Sequence, residues 1–384
     1  MKIGLFLISV FFVLSLASCI QDEAPNAEAD IVSVDSVWVD RNIKAGILKG
    51  KPRVSNDKVI FLIRKGVDLT SLELDPEFVL TDKATINPPN GTSRNFSEPQ
   101  TYTVTSESGE WTKKYEVSFE YAKLVNTYSF EHWDYDSGNR YHTFYETPGG
   151  GPRQNIWDSG NAGYALTGMA KSADEYPTVS DDGGINGKCV RLETKTTGEF
   201  GSSVGMNLAA GNLFFGEFSL AYAVLNPLKA TKFGLQIVES KPLAMKGYYK
   251  YKAGDVYTDE KKVPVGGVKD ACDIYGVLYE VDPLNFVPLN GSNVLNSDRI
   301  VALARIQNAG EPRAWTQFNL PFKGKDANGE FTVENYNFDE ERLEKDGYAI
   351  AIVFSSSIDG AYFRGAVGST LYVDEVELIY QDNE

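Results

Sequence analysis

Trp315, Gln317 and Asn319 alternate along one short stretch, so on a β-strand they share a face. An indole beside two amides is suited to stacking on a pyranose ring and hydrogen-bonding its hydroxyls. The strand candidates Cys272–Val281 and Ile300–Ile306 add Asp273, Tyr275 and Arg305 to such a surface. The run Ile156-Trp-Asp-Ser-Gly-Asn161 offers Trp157 and Asn161 at a rim. The plain alternative for either tryptophan is packing between sheets. A second chemical clue is Asp374, near the end of the chain. Strict alternation puts it in a row with Tyr372, Val376, Leu378 and Tyr380. A carboxylate in such a row is costly unless it is compensated. Three readings stay open: a metal ligand, a partner for Arg or Lys, or a misjudged face.

Other chemistries find little support. The E-x-D-x-x-E alternation used by jelly-roll endoglucanases is missing, and Asp374-Glu-Val-Glu377 does not match its spacing. Arg140, Tyr141 and His142 are the residue types of a lyase, but neighbours on a strand point to opposite faces. Two histidines in 384 residues exclude a His-rich zinc site. The net charge of −16 argues against nucleic acid as the partner, because a phosphate backbone needs a basic face. Cys189 and Cys272 could bridge or remain two buried thiols.

The elements that must position these residues are strands. Tyr and Phe number 21 each and Gly 35, a mix that favours sheets and turns. Between residues 31 and 123, Ile31–Val39 alternates like a strand, and Val59–Ile63 is an apolar run expected to be buried on both faces. Thr101–Thr105 and Tyr115–Tyr121 read as a hairpin, with Trp111 at its turn. Several short strands in about 90 residues suggest an immunoglobulin-like sandwich. From 124 to 384 come many more strand candidates and almost no helical periodicity. One exception is Asp339–Lys345, with Asp339 as N-cap. That pattern suggests a two-sheet jelly roll. The expected fold is all-β: a smaller N-terminal Ig-like β-sandwich followed by a larger jelly-roll sandwich.

Met1-Lys2 and the apolar run from Ile3 to Leu16 form a signal segment. Its end, Leu16-Ala-Ser-Cys19, resembles a bacterial lipobox, which implies cleavage after residue 18 and lipidation of Cys19. The acidic stretch that follows, within a tether over 19–30, resembles the surface-export signal of Bacteroidetes lipoproteins. The expected location is the outer membrane, facing outward, with the lipid as the only membrane contact. The hairpin "TYTVTSESGEWTKKYEVSF" resembles that of Ig-like modules in Bacteroidetes glycan-uptake lipoproteins. "YSFEHW" and "GSTLYVDEVELIY" resemble the first and last strands of carbohydrate-binding jelly rolls. Together with "IWDSGNAGYAL", "AAGNLFFGEF" and "IYGVLYEVD", they resemble the carbohydrate metabolism domain of Bacteroidetes lipoproteins over nearly all of 124–384.

The resemblance implies a β-sandwich with a role in glycan metabolism and no settled activity. Calcium-bearing relatives of this fold type imply Glu131 and Asp374 as ligands of a structural Ca²⁺, completed by backbone carbonyls. The expected function is a surface-anchored protein that binds a poly- or oligosaccharide, with further partners in a glycan-uptake complex. The alternatives are a glycoside hydrolase or polysaccharide lyase, and a structural or adhesive surface protein.

Overall fold

The structure, a computed structural model, describes residues 25–381 apart from 56, 65–66, 122–125, 148–152 and 327. The lipidation site expected at Cys19 lies outside the described residues. No helix among them is long and apolar enough to cross a membrane. The chain divides into two compact units: residues up to Ala45 with Pro52–Glu120, and Gly46–Lys51 with Tyr121–Glu384.

In the first unit one five-stranded sheet runs in the order Arg53–Val54, Lys58–Ile63, Thr112–Tyr121, Gln100–Thr105 and Thr85–Asn87. The hairpin is present, and Trp111 is exposed at its turn. Two expectations change. Lys58–Ile63 buries Val59, Phe61 and Ile63 and leaves the alternate residues half covered, so one face carries the core. The alternation of Ile31–Val39 is strand only as far as Val34, after which Ser36–Lys44 is a helix. Asp35 decides this switch: its carboxylate accepts the Trp38 N–H at 2.9 Å, an N-cap that satisfies a free helix donor. The helix buries Trp38 against Phe61, which in turn stacks on Phe119.

The second unit is a sandwich of two antiparallel sheets. The six-stranded sheet runs Thr178–Asp181, Cys189–Glu193, Thr370–Tyr380, Pro242–Lys252 and Thr316–Pro321, with Thr127–Tyr128 also paired to Thr370–Tyr380. The central run of the nine-stranded sheet is Asn212–Phe218, Tyr348–Ser355, Asp273–Glu280, Ile300–Arg305 and Lys323–Lys325. Inward residues of both sheets, among them Val190, Met245, Leu371, Ile274, Ile352 and Phe354, form one continuous core. Its apolar burial drives the folding of this unit. The all-β expectation holds. Asp339 caps the short helix Glu340–Glu344, as expected.

The last strand is not regular. Lys246 faces Glu377 and Tyr248 faces Asp374, so Gly247 alone spans Glu375 and Val376. This is a β-bulge, and Glu375 takes φ +48° to make it. The extra residue reverses the alternation. Leu371 and Val373 point into the core before the bulge, and Val376 and Leu378 point there after it. Asp374 therefore leaves the apolar row in which strict alternation placed it.

Candidate functional site

Gln317 and Asn319 project from Thr316–Pro321, an edge strand of the six-stranded sheet, while Phe318 between them enters the core. This is the expected division of faces for that pair. Thr316, expected inward, is exposed. Beside this edge runs the Ile300–Arg305 strand of the other sheet. Between the two lies a groove of about 600 Å³, lined by Gln317, Asn319, Arg305, Gln307, Lys323 and Glu330 among others. Amides, cations and a carboxylate thus converge on one concavity, with Tyr249, Phe318 and Leu320 as apolar ground.

Arg305 is held in place. Its Nε and Nη2 donate to the two oxygens of Asp273 at 2.9 and 2.7 Å, a bidentate pair. Asp273 is buried, and burial raises its pKa against the opposing pull of Arg305. The pair leaves the Arg305 side chain about a quarter exposed, at 26%.

The structure separates the other expected sugar contacts. Trp315 is half-buried outside the groove lining, and its ring is covered by the Lys250 ammonium 4.3 Å from the centroid. Lys250 also lies over Tyr372, at 4.5 Å. Trp157 is not at a rim. It is core, packed on Tyr128, Phe130 and Phe215, and its indole N–H donates to Glu146 at 2.9 Å. Asn161 is fully buried: its amide donates to the Thr178 carbonyl and accepts the Thr178 N–H. Both belong to a strand and helix that bury them, a context a glycine- and serine-containing stretch disguises. Tyr275 is also buried, directly across the sheet from Arg305 but on the floor of a different cavity. Cys189 and Cys272 are both free and buried. His142, expected among lyase-type residues, is buried against Trp133 and accepts the Ser180 N–H, which makes it structural.

Gln307, Lys323 and Glu330 were missed. Gln307 follows the strand it extends, and Lys323 and Glu330 come from the short strand and loop beyond Pro321. Their only signal is proximity in sequence to residues already singled out.

Glu131 and Asp374 are both reached by the loop that joins Thr178–Asp181 to Cys189–Glu193. The Lys188 N–H donates to Glu131 at 2.9 Å and the Ile185 N–H to Asp374 at 2.6 Å. A Cβ on Gly187 would sit 2.7 Å from both Glu131 oxygens, so the loop needs glycine there. Burial pushes the Asp374 carboxyl up to about 6, with Glu375 and Glu131 adding to it. Two non-glycine residues with left-handed backbone adjoin the carboxylates: Phe130, at φ +55°, and Glu375. Strain of this kind gathers where a particular geometry is demanded. Among the described residues no cluster of three or more His, Cys, Asp or Glu side chains stands ready for a metal.

Comparison with known proteins follows the same division. Residues 129–379 match the family model described as "Putative carbohydrate metabolism domain", and residues 43–119 match "SGBP, N-terminal". A crystal structure from Bacteroides thetaiotaomicron, described as a putative glycoside hydrolase, shares 45% identity. The match covers 94% of this chain and 100% of that one, with a TM-score of 0.78. Another, from Bacteroides vulgatus and described in the same words, shares 36% identity over 67% of this chain and 98% of that one, with a TM-score of 0.59. No curated protein matches.

Proposed function

Because this chain belongs to the family of the "Putative carbohydrate metabolism domain", we propose that its second unit captures an oligosaccharide in the groove between Gln317, Asn319 and Arg305. The observation that carries this reading is the convergence of amide and guanidinium groups from two sheets on one concavity. Sugar hydroxyls both donate and accept, so they need such a mixed set. Arg305 comes pre-oriented by Asp273 and loses little freedom on binding. Such sites bind weakly per sugar and gain from multivalency. That fits a protein held at the cell surface by a lipid on Cys19, among partners that pass the glycan onward. Loss of the protein from the membrane fraction in Cys19→Ala would support the anchor, and resistance to protease on intact cells would refute the outward orientation.

A glycan array with the full chain tests the groove. Binding that Gln317→Ala with Asn319→Ala abolishes supports it, and binding unchanged in that variant refutes it. The hydrolase description of the Bacteroides relatives motivates a parallel assay for released reducing ends. Hydrolysis needs two carboxyl groups flanking one bond. Among the described residues lining the groove Glu330 is the sole carboxylate, which favours binding over cleavage.

Glu131 and Asp374 would hold a structural Ca²⁺. Hard carboxylate oxygens gathered on one loop suit that ion. Calcium would tie the start of the second unit to its last strand. A Tm that rises with Ca²⁺ and falls with chelator supports this. An unchanged Tm together with a metal-free elemental analysis sinks it.

A further inference from the structure

The second unit has a cavity of another kind, of about 270 Å³, over the outer face of the nine-stranded sheet. Its floor is two rows across three strands. Phe214, Val353 and Tyr275 stand side by side in one row, and Asn212, Ser355 and Asp273 in the next. Its mouth is apolar. Leu166, Phe200, Val204, Val224, Ile358 and Tyr362 all line it, and each is between 37% and 50% exposed. Exposed apolar side chains gathered round one opening mark an interaction site.

The polar groups of the floor's second row, and Ser357 beside it, are already committed. The Asn212 amide accepts the Gly160 N–H and donates to the Ala210 carbonyl. The Ser355 hydroxyl donates to the Ser357 carbonyl, and the Ser357 hydroxyl to Asp270. Both Asp273 oxygens serve Arg305. The Thr231 hydroxyl is buried without a hydrogen-bond partner, but it presents no surface to the hollow. A polyhydroxylated sugar would leave most of its hydroxyls unpaired here, which a buried site does not tolerate. An apolar cavity of about 150 Å³ holds benzene, so this one has room for a larger body.

We propose that this cavity binds a compact apolar group, arylalkyl or medium-chain acyl. Two sources share that chemistry. One is a free apolar molecule. The other is an ester substituent on a glycan lying in the groove, since Asp273 lines the cavity and its partner Arg305 lines the groove. The cavity stands without the glycan reading, and its test is separate.

The test is fluorescence titration of the full chain with N-phenyl-1-naphthylamine, a neutral probe that brightens in apolar surroundings. Saturable one-site binding, displaced by cinnamyl alcohol or octanol, is expected. Ala361→Trp and Val224→Trp, both at exposed lining positions, should each weaken the probe at least tenfold without moving Tm. No saturable binding, or equal binding in both tryptophan variants, overturns the proposal. Feruloylated arabinoxylan oligosaccharide, compared with its saponified form, separates the sources. Tighter binding of the ester, erased by Ala361→Trp, identifies a glycan substituent, and probe binding with no ester preference identifies a free molecule. Probe binding in a chain that binds no glycan retains the cavity and removes the groove reading.

Discussion

The groove and the cavity meet at one ion pair and differ in almost everything else. On the Arg305 side, side chains from two strand edges offer donors and acceptors to solvent. On the Asp273 side, loops and short helices surround an apolar hollow whose floor amide, hydroxyls and carboxylate are spent internally. The difference teaches that an ion pair bridging two neighbouring strands can serve two recognition chemistries, provided the pair is neutral as a unit. Arg305 can face a ligand because Asp273 is buried behind it. Asp273 can be buried because Arg305 is there.

Breaking that pair is the most damaging test of the comparison. Arg305→Ala strands a buried carboxylate and should cost about 3–5 kcal/mol. Asp273→Asn combined with Arg305→Ala should recover much of the loss. Denaturant unfolding of the two variants measures the difference. If the single variant is no less stable than the double, the pair is not the wall between the sites.

A pH test asks whether stability and recognition are separable. Glu146 is buried beneath Trp157, and burial pushes its carboxyl up to about 7 against the hydrogen bond from the indole. The folded chain then holds a proton that the unfolded chain releases near the ordinary value of 4.5. Stability therefore falls as pH rises from about 4.5 to 7, and the loss persists above that. Glu146→Gln should flatten this slope and stabilise the protein at pH 8 by about 2–3 kcal/mol. Urea titrations across that range measure it, and probe and glycan affinities should stay the same.

Smaller effects divide the two sites from each other. Gln317→Ala or Asn319→Ala should each weaken glycan by about 1 kcal/mol, the worth of one hydrogen bond, and leave the apolar probe unaffected. Isothermal titration with both ligands checks the separation. Trp315→Ala should matter least. The indole is covered by Lys250 outside the groove, and losing that cation–π contact costs about 0.5–1 kcal/mol of stability at most. A large loss of glycan affinity in this variant would move the binding surface to the outer sheet face.

Strand alternation made part of this legible. It put Gln317 and Asn319 opposite Phe318, while the helix-start signal placed Asp339 as a cap. It failed where the local signal is the same for two environments. Trp157 and Asn161 sit in a stretch that reads as a loop, yet neighbours from Asn212–Phe218 and Thr178–Asp181 cover them. The alternation of Ile31–Val39 hid a helix because the cap at Asp35 outweighs it. The cavity could not be read at all. Its rim comes from segments near residues 166, 200, 224 and 360, and only the folded chain brings them together.

The bulge at Glu375 has an evolutionary side. A regular strand tolerates substitution at any outward position and reads the same afterwards. This one is counted, like codons in a reading frame. Deleting Glu375 would remove the bulge and leave Val376 and Leu378 on the core face, whereas deleting one residue elsewhere with the bulge kept would turn part of the strand inside out. A lineage of this fold can therefore change the identity of nearly every exposed residue in the last strand. It can change the number of residues by one at the bulge, and elsewhere only by two at a time.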